Sequence, residues 1–206
     1  PFAFRLLSPK LPSAVSPLCP HDGSKGRRAA LQPNANALFE LHWFCLLPSR
    51  ATTASANLDR VIRTWLLLGS VGCRSNRAAG SVWPAGYEPT VTEFEKEVAA
   101  LALPVADLVV RVIGNAPATP DALRQTASDT LRGTQHNSLG KVLGYVERTE
   151  RKASALRVKV GRFSDGYRLI VIFDFRTGRA TKADYSKVIV ELMNGHKQLG
   201  TDISTA

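Results

Sequence analysis

Between Gly69 and Pro84 the chain reads GSVGCRSNRAAGSVWP, the stretch richest in groups that could do chemistry. Gly69, Gly72 and Gly80 carry no Cβ, so backbone N–H groups beside them can approach an anion closely. Ser70, Ser75, Asn76 and Ser81 add side-chain donors. Arg74 and Arg77 add charge and forked donors that suit phosphate. The combination is expected to cradle a phosphate backbone. It is not a P-loop, because no Gly-Lys-Ser/Thr follows the glycines. Nor is it a dinucleotide fingerprint, because it follows a helical pattern instead of opening one. On residue types alone, a glycine-rich turn with two solvated arginines stays open beside the cradle.

Other candidates are scattered. His21-Asp22 lies near Lys25, Arg27 and Arg28 in a stretch without periodicity, where an Asp could hold a metal or activate a 2′-hydroxyl. Glu40 and His42 share one strand face, a pairing suited to acid–base work. A strand histidine held by a hydrogen bond is the plainer account. His136 falls in a loop and could touch a base or a phosphate, and His196 follows a helix end, where a cation suits the dipole. Arg151 and Lys152 lead into a strand and could extend a phosphate track. Trp43 and Trp65 fall on apolar faces and are expected in the core. Trp83, directly after the cradle, is the better candidate to stack on a base, with packing in the core an equal alternative. No Ser-His-Asp set, Cys-His pair or H-E-x-x-H occurs. Cys19, Cys45 and Cys73 are odd in number and widely spaced, which suits neither a disulfide framework nor a zinc site. No cofactor or metal is implied.

The elements that must position these groups follow from periodicity. Phe2, Phe4 and Leu6 alternate as a short edge strand, and the rest of 1–36 reads as loop. Residues 38–47 alternate as a strand, with Phe39, Leu41, Trp43 and Cys45 on the apolar face and Leu38, Glu40, His42 and Phe44 on the mixed one. A helix capped by Ser55 carries Leu58, Val61, Ile62, Trp65 and Leu66 at helical spacing, expected to pack on the sheet, and Gly69 stops it. Thr90 and Glu93 form a capping box for a helix over 91–103, with Phe94, Val98 and Leu101 inward. Residues 106–114 read as a strand. A third helix starts at Thr119 or Asp121 and ends near Gly133. Residues 154–160 alternate, with Leu156, Val158 and Val160 apart from Arg157 and Lys159. Residues 167–175 are almost wholly apolar, as a central strand is. Ser164-Asp165-Gly166 joins the two as a hairpin turn. A last helix covers 181–194, with Val188, Ile189 and Leu192 inward. This interleaving predicts an α+β fold.

The chain has 206 residues, 27 Lys and Arg against 17 Asp and Glu, a net charge of +10 and 44% apolar residues. Such apolar content is that of a folded domain, not a disordered one. The charge favours an anionic partner, nucleic acid first. It is uneven: residues 1–60 hold 7 basic against 3 acidic, 91–140 hold 4 against 6, and 141–206 hold 13 against 7. Two basic flanks around a near-neutral middle suggest a face or groove. No run of about 18 apolar residues occurs, so no membrane span is expected. The cysteine usage makes a reducing cytoplasm the expected compartment. Pro1, Pro9, Pro12, Pro17 and Pro20 speak against a helical targeting presequence. The first residue is Pro, not Met, so the sequence is expected to be incomplete at its N-terminus or joined across missing loops.

The segment WLLLGSVGCRSNRAAGSV, 65–82, resembles the glycine-rich loop of the RAMP superfamily, the subunits of CRISPR RNA-guided effector complexes, and of type III-B subunits most closely. Gly69, Gly72, Arg74, Ser75, Arg77, Gly80 and Ser81 occupy the matching places. RKASALRVKV, 151–160, is similar to a downstream strand of that family through Arg151, Ala153, Ser154, Leu156 and Val160. Ala79, Cys73 and Ala155 depart from the family pattern, and its N-terminal signature has only faint echoes at 6–12 and 23–31. The resemblance implies a ferredoxin-like (RRM-like) fold with a glycine-rich loop and helical insertions. It divides the chain into an irregular basic segment 1–36, a core 37–84, a helical insertion 85–140 and a second α+β segment 141–206. It implies a non-catalytic scaffold that contacts guide RNA, or its duplex with target RNA, beside other effector subunits. Gly69, Gly72, Arg74, Ser75, Asn76, Arg77, Gly80 and Ser81 would hold phosphates, with Arg27, Arg28, Arg151 and Lys152 extending the track. Two alternatives stay open. One is an endoribonuclease of the same superfamily using His21, Asp22 or His42, and the other is a basic structural protein of an RNA assembly such as a ribosome.

Overall fold

A computed structural model describes residues 2–7, 13–16, 28–31, 40–45, 51–71, 78, 80–101, 108–114, 118–134, 145–147, 150–152, 154–175 and 181–196. The chain divides into two compact units, Pro1–Asp59 and Arg60–Ala206.

In the first unit, β1 (Phe2–Leu7) pairs antiparallel with β4 (Glu40–Cys45), Phe2 opposite Cys45 and Leu7 opposite Glu40. The edge strand and the 38–47 strand read from alternation are thus partners. Glu40 and His42 are exposed and Leu41 is half-buried, as the two-faced pattern requires. Residues 1–36 are not all loop, however. β2 (Ser13–Ser16) and β3 (Arg28–Leu31) form a second antiparallel pair, Ser16 opposite Arg28. Short runs of Ala and Ser have little alternation to read, so this pair was invisible to periodicity.

The second unit is built on a three-stranded antiparallel sheet. β5 (Leu108–Ile113), β8 (Leu156–Phe163) and β9 (Gly166–Asp174) lie in the order β5-β9-β8. Both outer strands run opposite to β9, so β5 and β8 point the same way. Ser164 and Asp165 make the two-residue turn between β8 and β9, with Phe163 opposite Gly166. Between β5 and β8 come helix α3 (Pro120–Thr134) and the small hairpin β6 (Tyr145–Glu147) and β7 (Glu150–Lys152). Helix α4 (Lys182–His196) follows β9.

Helices cover both faces of this sheet. Leu169, Val171 and Phe173 of β9 face one way, with Leu156, Val158 and Ile113, and pack on Leu123 and Ala127 of α3 and Val188 of α4. Ile170 and Ile172 face the other way, with Val112 and Phe163, and pack on the C-terminal end of α1 (Ala51–Leu68) and on α2 (Val91–Ala100). Burial on both faces is why 167–175 is almost continuously apolar. The start of α2 is the expected capping box: the Thr90 hydroxyl accepts from the Glu93 amide, and the Glu93 carboxylate accepts from the Thr90 amide at 2.8 Å. Thr181 and Asp184 make the same arrangement at α4.

One expected stripe holds only in part: Leu58 is buried, and Ile62 and Leu66 are half-buried. Leu58, Val61, Ile62, Trp65 and Leu66 were expected against the sheet, but Leu67 and Leu68 are what α1 buries there. Val61 and Trp65 are exposed. Leu66-Leu67-Leu68 closes the helix with apolar side chains all round, so the 3.6-residue period alone cannot choose the inner face.

Candidate nucleic-acid interface

The glycine-rich loop stands on a built stem. Ser70 and Ser81 form an antiparallel bridge, and the Val71 amide donates to the Gly80 carbonyl at 2.9 Å. The far limb is then tied to the open edge of β8. The Ala78 amide donates to the Val158 carbonyl at 2.7 Å, and the Val160 amide donates to the Ser81 hydroxyl at 3.0 Å. That hydroxyl donates in turn to the Ala78 carbonyl at 2.9 Å. The stem thereby satisfies backbone groups that an edge strand would leave unpaired. Ala78 is buried in the core at φ +61°, a strained setting for a residue with a Cβ, and its two hydrogen bonds hold it there.

The sequence-predicted residues separate into two groups. Gly72, Arg74, Ser75, Asn76 and Arg77 lie outside the described residues, as do Arg27, His21, Asp22 and His136. Gly69, Gly80 and Ser81 are described, and each has a structural part in the stem. Gly80 is at φ +69°, and a Cβ there would fall 1.7 Å from the Val71 carbonyl oxygen. A Cβ on Gly69 would fall 2.4 Å from Cδ1 of Trp65, whose indole lies against it. Helix α1 ends at Leu68, as Gly69 led one to expect, but Gly69 is not at positive φ, so the stop is not a left-handed turn. Arg28 lies in β3, and Arg151 and Lys152 in β7, where Arg151 opposes Val146 and Lys152 opposes Tyr145. Glu40 and His42 meet at 3.1 Å on the exposed face of β4.

Trp83 packs and does not stack outward. Its ring centre lies 5.7–5.8 Å from those of Tyr87, Phe94 and Phe163, and its Nε1 donates to the Tyr87 carbonyl. Trp65, expected in the core, is 37% exposed. Trp83 thus takes the packing alternative that its sequence left open, and Trp65 does not take the core place expected of it.

The residue that sequence reasoning missed is Lys159. Alternation along β8 put it outward with Arg157, yet it is only 1% exposed. Its Nζ donates to the Leu66 carbonyl and, at 2.9 Å, to the Gly69 carbonyl, and it lies 5.5 Å from the centre of the Trp83 ring. Helix α1 has no basic residue in its last turn. Its terminal carbonyls carry the negative end of the helix dipole at the very start of the glycine-rich loop. Lys159 reaches across from β8 to cap them. Burial pushes its ammonium down to about 7. A legible signal existed: a helix that ends on an apolar run without a cation needs a donor from elsewhere.

A second polar cluster joins α1 to α2. Arg63 Nε donates to Glu97 at 2.5 Å, the Tyr87 hydroxyl donates to the other Glu97 oxygen, and the Arg63 guanidinium lies 4.3 Å from the centre of the Tyr87 ring. The hydrogen bond from Arg63 holds the Glu97 carboxyl below its ordinary range, and the same bond holds Arg63 above its own. Burial, then the bond to Glu97, raises the Tyr87 phenol.

Among the described residues no three His, Cys, Asp or Glu side chains gather as a metal site, and no helix is long and apolar enough to cross a membrane. No family model matches the chain, and no curated protein or solved structure matches it either.

Proposed function

We propose that the chain binds RNA through phosphate contacts of the glycine-rich loop, as a non-catalytic subunit of a CRISPR RNA-guided effector of the RAMP type. The observation that carries this reading is the stem. The two limbs that flank residues 72–77 in sequence, at Ser70–Val71 and at Ala78, Gly80 and Ser81, are tied to each other and to β8. At the foot of that loop Lys159 donates to the Leu66 and Gly69 carbonyls, which would otherwise face a phosphate. From Arg60 to Tyr87 the chain contains four arginines and no acid, and of these Arg63 is paired with Glu97 of α2. The chain order and strand directions of β5-α3-β8-β9-α4 agree with the first five elements of a β-α-β-β-α-β unit, with α3 and α4 on one face. That agreement supports the ferredoxin-like reading. Guide RNA, target RNA and neighbouring effector subunits are the partners proposed, with the cytoplasm as the compartment.

The test is a salt titration of binding to single-stranded RNA. Arg74→Ala with Arg77→Ala should weaken binding and lower the slope of log K against log salt by about 1.4, at roughly 0.7 per lost phosphate contact. An unchanged slope would remove the two arginines from the interface. Sequencing of the RNA that copurifies from the native host checks the assembly. Short RNAs with a shared repeat-derived tag support the effector, and ribosomal RNA points to a ribosomal protein instead.

The exposed His42–Glu40 pair favours a second reading, an endoribonuclease in which His42 works on the 2′-hydroxyl. It requires cleavage of RNA but not DNA, abolished by His42→Ala.

A further inference from the structure

We draw no further inference here: the strongest candidate, the partly exposed apolar stripe of α1 at Val61 and Trp65, carries nothing, because nothing in the structure shows what covers it.

Discussion

Lys159 is the residue on which the foot of the loop turns. Its side chain is buried, its neighbours are carbonyls, and its pKa is lowered to about 7 against an ordinary 10.5. Below pH 7 the folded and unfolded chains both carry the proton, and the fold bears the full cost of a buried charge. Between 7 and 10.5 the unfolded chain holds a proton that the folded chain does not, so stability rises with pH. Chemical denaturation at pH 7 and 9.5 should therefore show the wild type gaining on Lys159→Met by an amount on the order of 2–3 kcal/mol. Parallel pH profiles for the two proteins would mean that Lys159 keeps its charge throughout. The glycines make a second, independent test. Gly80 and Gly86 both have positive φ, +69° and +70°, but a Cβ on Gly86 meets nothing within 4 Å. Gly86→Ala should lose about 1 kcal/mol, the cost of a left-handed residue, and Gly80→Ala clearly more, because the Val71 carbonyl must also move. Equal losses by denaturation would show that the stem yields freely.

At the scale of elements, the Arg63–Glu97–Tyr87 cluster ties α1 to α2 over the sheet. The pair is partly exposed, so screening limits its worth. Tyr87→Phe should lose about 1 kcal/mol for one hydrogen bond, and a double-mutant cycle on Arg63 and Glu97 should couple by roughly 0.5–1 kcal/mol. Glu97 is held below its ordinary pKa, so its contribution is present above the carboxylate range and lost as pH falls through its folded value. Glu97→Gln should accordingly flatten the acid limb of the stability profile. An unaltered acid limb would place the acid sensitivity elsewhere. Most elements here were legible in the sequence, for physical reasons. β9 is apolar on both faces because both are buried, and the α2 start is fixed by local hydrogen bonds between Thr90 and Glu93. What was not legible depended on distant partners. The inner face of α1 is chosen by the sheet it meets, and Lys159 is buried because a helix end happens to lie over β8. Trp83 packs because Phe94 and Phe163, distant in sequence, lie beside it, which local spacing does not show. The glycine motif was legible as an anion-binding loop, but not that Gly69, Gly80 and Ser81 serve its stem.

For the whole molecule, a net charge of +10 sets two opposing responses to salt. The free protein repels itself, so added salt should hold or raise its melting temperature. The gain in melting temperature that RNA confers should shrink over the same range, because salt weakens binding. Thermal scans with and without oligouridine check both signs in one series. A gain that persists at high salt would mean that contacts other than phosphate dominate.

β9 serves the clusters on both faces of its sheet, Leu169, Val171 and Phe173 on one side and Ile170 and Ile172 on the other. Loss of either helical layer would expose apolar side chains of the same strand, so the second unit is expected to open as one. Its β9 amides, bonded to a strand on either side, should be the last to exchange with deuterium, and Ile170 through Phe173 should exchange together at the rate of global unfolding.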